Sequence, residues 1–219
     1  MNPIVVIVIV VSLLSASLDA AAEPLLKLTL SVSNYGNVDS AILLAAEREV
    51  TRIYSITGVS IVWIAVPPVP EDTNKDSPCY RTADFDINIR PRAGSLGRNS
   101  NMLGAVPEMG HNSYVAYVFY DRIESLFARQ IAAAMEREIS RWAKPDQILA
   151  SVMAHEVGHL LGLAHSPSGI MRADWRANEL LAASYGGLLF TPQETEVIRA
   201  EVRRRSEEIL ESCAAFPHA

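Results

Sequence analysis

Apolar and polar positions recur with two different periods along this chain, and each change of period marks an element. From Leu25 the leucines are interleaved with Lys27, Thr29 and Ser31, which predicts a strand with one wetted face. Residues 38–56 carry Ile42, Leu43, Ala46, Val50, Ile53 and Tyr54 at helical spacing, closed by Gly58, and a short apolar strand follows over 60–66. Strand, helix and strand joined this compactly predict a parallel pair with the helix packed across it. The proline-rich stretch 67–78 reads as a surface loop, 83–89 as a cleanly alternating strand, and 90–100 as a basic loop with two glycines. Residues 102–107 form a short strand ended by proline, which suits a sheet edge. Residues 114–120 are rich in β-prone side chains and read as a central strand.

The second half is helical. Over 122–142, Ile123, Phe127, Ile131, Met135, Ile139 and Trp142 recur at near four-residue spacing, an apolar stripe that predicts a core-facing helix, with a partner interface as the alternative. Pro145 and Asp146 open the next helix, 176–184 reads as helical, and Thr191-Pro-Gln-Glu194 is a capping box that starts a charged helix reaching about residue 211. No internal repeat interrupts this order.

Chemistry concentrates in one stretch, His155-Glu-Val-Gly-His159-Leu-Leu-Gly162-Leu-Ala-His165. On a helix, residues four apart lie about 40° apart, so His155 and His159 can aim at one point in space. Leu149, Met153, Val157, Leu160, Leu161 and Ala164 fall at roughly 120° to 240° from His155, an apolar back opposite the histidines. A continued helix would carry His165 about 15 Å along the axis and onto another face. Gly162 can end the helix in a left-handed conformation and so turn His165 back as a third ligand. Three neutral imidazoles would leave a fourth position of a tetrahedral Zn²⁺ open, as in catalytic and not closed structural sites. Glu156 is then free to act as a general base.

The extended motif, with Met171 six residues past His165 in Ser-Gly-Ile-Met, resembles the metzincin clan of zinc endopeptidases, nearest to matrixin-type and related bacterial enzymes. The resemblance covers roughly residues 25–185. It implies His155, His159 and His165 as ligands of one catalytic zinc, Glu156 as the base, and Met171 in a Met-turn beneath the metal. Ala173 stands where some members carry a Met-turn tyrosine, so no tyrosine ligand is implied. The strand at 83–89 is similar to the third sheet strand of matrixins. Leu103, Gly104 and Ala105 sit where the clan's edge strand borders the cleft and pairs with an extended substrate, although an ordinary sheet edge would read the same. The implied fold is α+β: a twisted mixed sheet of about five strands, a backing helix, a zinc-site helix, and a mostly helical C-terminal part over about 172–219.

Residues 1–22 stand apart from this plan. Ile4–Leu14 is an almost unbroken apolar run followed by Ala20-Ala21-Ala22, which reads as a signal peptide, with an uncleaved N-terminal membrane anchor as the alternative. Cleavage there would leave residues 23–219 as a single domain, secreted or periplasmic, with no membrane segment. Of the 25 acidic residues cleavage removes only Asp19, leaving 24 against 19 basic ones, so nothing points to a nucleic-acid partner. Cys79 and Cys213 are the only cysteines, and an even pair in an exported chain predicts a disulfide; Cys79 as a latency switch over the zinc is the alternative. His111 reads as a solvent-exposed residue of a loop near the cleft, and His218 carries no argument. The expected function is that of an exported zinc metalloprotease acting on a peptide or protein substrate, a hydrolase. The alternative is a zinc-binding protein without turnover that holds a peptide or partner in the same cleft. Substrate identity and oligomeric state stay open.

Overall fold

A computed structural model describes residues 26–64, 83–96, 101–107, 113–137 and 142–215 of the 219-residue chain. The signal-peptide expectation, the Cys79–Cys213 pairing and His111 lie outside the described residues or side chains. Five strands and five helices are present among them, an α+β fold. In chain order they are β1 (Leu26–Asn34), α1 (Ser40–Ile56), β2 (Val59–Ile64), β3 (Phe85–Arg90), β4 (Gly104–Ala105), β5 (Val115–Phe119), α2 (Tyr120–Arg137), α3 (Pro145–Leu160), α4 (Ala177–Ser184) and α5 (Pro192–Ala215). No helix among the described residues is long and apolar enough to cross a membrane.

The strands form one sheet in the order β2-β1-β3-β5-β4, with β4 antiparallel to β5 and every other pairing parallel. The β1-α1-β2 unit is the parallel pair that the hydrophobic pattern predicts. Asp39 caps α1 by accepting from the Ala41 and Ile42 amides at 2.8 and 3.4 Å. Alternation then selects the buried face: Leu28, Leu30, Ile61, Phe85, Ile87, Ile89, Ala116 and Val118 are at most 7 % exposed, while Lys27 and Arg90 point to solvent. The wetted face of β1 is only partial. Ser31 is buried because its hydroxyl donates to the Asp86 carboxylate on the neighbouring strand.

α3 runs through the middle of the molecule and packs against α1, α2, α4, β3, β4 and β5. Every residue from Ile148 to Leu160 is buried, so the expected division into an apolar back and an open front is too simple. Its histidine side is covered too, by the edge strand and by the segment that follows Gly162.

Three further expectations change. β5 is a central strand as expected, paired with β3 on one side and β4 on the other, but it ends at Phe119 and Tyr120 already opens α2. The strand predicted over 102–107 keeps its edge position but shrinks to Gly104–Ala105, extended by the Phe119 amide donating to Leu103 O at 2.8 Å. On α2, Ile123 and Ala134 are buried but Met135 is 79 % exposed, and Trp142, beyond the helix, is 37 % exposed. A strict four-residue spacing advances about 40° per step, so by Met135 the stripe has turned about 120° off the face that Ile123 buries.

Candidate metal centre

The site is built by one helix end. α3 puts His155 and His159 one turn apart with their Nε2 atoms 3.0 Å apart. Gly162 then takes φ +86°, the left-handed region. The Leu163 amide donates to Gly158 O and the Gly162 amide to His159 O, both at 3.0 Å, the two bonds of a Schellman turn. The chain reverses, and His165 Nε2 arrives 3.2 Å from His159 Nε2. The ligand atoms of all three residues lie within 4.8 Å of one another. The turn that sequence spacing assigned to Gly162 is therefore present and does deliver the third imidazole.

Two backbone carbonyls set the ring orientations. His155 Nδ1 donates to Ile170 O at 2.7 Å and His159 Nδ1 to Leu163 O at 2.8 Å, which leaves the Nε2 lone pairs bare and convergent. Two bare lone pairs 3.0 Å apart repel unless a cation stands between them. Tetrahedral zinc with Zn–N of 2.0–2.1 Å spaces its ligand nitrogens by about 3.3 Å. The donor set, its tautomers and its spacing thus fit that ion. Burial, reinforced by the neighbouring His159, brings the His155 pKa down to about 3, and burial lowers that of His159 although its bond to Leu163 opposes the shift. Both rings are held in the neutral form that ligates.

Glu156 is 5 % exposed, and burial pushes its pKa up to about 8. It lies under the sheet edge. A methyl group at Gly104 would stand 2.5 Å from Glu156 Oε1 and 2.7 Å from its Cγ and Cδ, so only glycine lets the edge strand approach this close. Leu103, Gly104 and Ala105 line a cleft of about 530 Å³ together with the three histidines and Glu156. Its other walls come from Leu126 and Arg129 of α2 and from residues 172–175.

No protein-family model matches the sequence, and no curated protein is significantly similar to it. Among solved structures, an archaemetzincin from Methanopyrus kandleri is similar to this chain, with a TM-score of 0.45 and 15 % identity over 82 % of this chain and 96 % of that one.

Met171 is fully buried, and its Sδ lies 2.6 Å from where a Cβ on Gly158 would stand, between the two helix histidines. The turn that carries it is tied down by Ser166 N to Met171 O at 3.0 Å and Ile170 N to Leu189 O at 2.9 Å. Pattern reading missed three supports of the site. Gly158 gives Met171 room. The buried Tyr54 of α1 donates to Ala154 O at 3.1 Å, directly before the first ligand. Trp175 donates to the same Ile170 carbonyl that orients His155. Only Trp175 left a sequence signal, a large aromatic with a polar edge just past the turn of Met171.

Proposed function

We propose that this protein is an exported zinc-dependent endopeptidase with one catalytic zinc on His155, His159 and His165. The observation that carries the reading is the convergence of three Nε2 atoms beside a buried carboxyl, in a cleft whose rim is a sheet edge. Zinc in this position supplies Lewis-acid polarisation of a scissile carbonyl and lowers the pKa of water. The protein's own residues do the rest. An extended peptide pairs with the backbone of Leu103–Ala105, which aligns one amide bond over the histidines. Glu156, ionised by the nearby dication, takes the proton of the attacking water and returns it to the leaving amine. His155 and His159 stay neutral and oriented by their carbonyl acceptors. Residues 1–22 act as the export signal, and the mature chain meets its substrate outside the cytoplasm.

The test compares zinc-loaded wild type with Glu156→Gln on an internally quenched peptide library, with and without chelator. Wild type is expected to cut internal bonds and to stop on zinc removal. The variant should keep its zinc and lose a factor on the order of 10² to 10⁴ in rate. Fully zinc-loaded wild type that cuts nothing across the library would leave a binding protein in place of a peptidase. Equal cutting by both proteins would remove Glu156 from the reaction.

A further inference from the structure

The carbonyl oxygen of Ile170 accepts two hydrogen bonds, from His155 Nδ1 at 2.7 Å and from the Trp175 indole Nε1–H at 3.2 Å. A carbonyl oxygen has two lone pairs, so these donors saturate it and define its direction. The indole also meets the His155 ring edge-on, with centroids 5.9 Å apart and planes at 84°. Its remaining surface lines the cleft. Between the two anchor points, Arg172 stiffens the loop by donating to Asp174 O and to Pro167 O, each at 3.0 Å.

We propose that Trp175 is a positioning residue for the metal centre: its N–H holds the Ile170 carbonyl, and its ring, perpendicular to the imidazole, holds His155, so that the first ligand and the cleft wall keep one geometry. The inference rests on the metal site of the reading above and not on peptide hydrolysis. Outer partners of a ligating histidine carry about 10-fold to 100-fold in metal affinity. Trp175 acts one bond further out, so the lower end is expected.

The experiment uses the full chain and two variants. Trp175→Phe keeps an aromatic ring and removes the donor; Trp175→Ala removes both. Zinc affinity is measured by chelator competition, and the geometry of the site by the visible spectrum of the cobalt-substituted protein. Trp175→Phe is expected to bind zinc about tenfold more weakly and to shift the cobalt bands, with Trp175→Ala weaker still. A merely structural tryptophan would lower stability while leaving both readouts in place. Zinc affinity within twofold of wild type and a superimposable cobalt spectrum in Trp175→Phe would overturn the proposal. Should both variants fail to fold, the wild-type indole N–H signals of the three tryptophans decide. The Trp175 signal is expected to shift and to exchange slowly on zinc addition, and an unmoved signal refutes the idea. Wild type that binds no zinc would sink the metal site as well; wild type that binds it while Trp175→Phe is unchanged would sink only this proposal.

Discussion

Replacing Glu156 by glutamine keeps the size and shape of the side chain and removes its titration. In the metal-free protein the carboxyl is 5 % exposed, and burial raises its pKa from 4.5 to about 8. Between those values the folded chain holds a proton that the unfolded chain has released, so stability falls as pH rises. The contribution is complete only below the unfolded value of 4.5. Each pH unit across the window removes about 1.4 kcal/mol, which makes about 3 kcal/mol at pH 7 and on the order of 5 kcal/mol above pH 8. His155 works in the opposite direction. Its pKa falls from 6.5 to about 3, so the folded chain binds fewer protons in that interval and gains stability as pH rises. Both proteins carry His155, and its effect cancels in their difference. Urea unfolding of chelator-treated protein, followed by circular dichroism, measures that difference directly. Glutamine should be more stable than glutamate by under about 1 kcal/mol at pH 5 and by about 3 kcal/mol at pH 7, with a larger gap above pH 8. Saturating zinc should flatten the dependence, because a nearby dication favours the ionised carboxylate. A gap that is the same at every pH in metal-free protein would mean that Glu156 is already ionised in the fold, and the burial argument would be wrong.

Gly104→Ala should push the Glu156 carboxyl aside, since the new methyl would stand 2.5 Å from Oε1; kcat on a peptide substrate is expected to fall by about 10²-fold while zinc content, read by mass spectrometry, is kept. Gly158→Ala forces the Met171 thioether to move from a site 2.6 Å from the new Cβ. Overpacking of about 1–3 kcal/mol, less about 1 kcal/mol of helix propensity, leaves a loss of up to about 2 kcal/mol in urea unfolding, and a raised midpoint would show that Met171 repacks freely. Arg205→Met removes donors to Glu201 at 2.7 Å and to Leu160 O, at the end of α3, at 3.2 Å. A loss of about 1.5–3 kcal/mol in urea unfolding is expected, and a loss under about 0.5 kcal/mol would show that this partly buried clamp is idle.

How much of this was legible depends on how far along the chain each contact reaches. His155, His159 and the turn at Gly162 are related within eleven residues, where helical geometry leaves few alternatives, and the structure places them as spacing implied. The parallel β1-α1-β2 unit and the edge position of 104–105 are also read from local pattern and neighbouring punctuation. Register beyond that was not legible. The four-residue stripe of α2 looked continuous, but a helix turns 100° per residue and not 90°, so by Met135 it has left the core. The burial of α3's histidine side comes from β4 and from the segment after Gly162, and no periodicity within the helix can report what another element lays over it. The motif's two glycines show the limit most clearly. Gly162 serves conformation, since its φ of +86° ends the helix, and its place between His159 and His165 announces that role. Gly158 serves space, since the Met171 sulfur fills the position a side chain would take. That need is set by a residue thirteen positions away and only once the chain has turned back, so on spacing alone Gly158 is indistinguishable from any small residue on the helix. A substitution tolerated at one glycine therefore says nothing about the other: Gly162 would accept only residues that tolerate positive φ, whereas Gly158 would accept any side chain for which Met171 can make room.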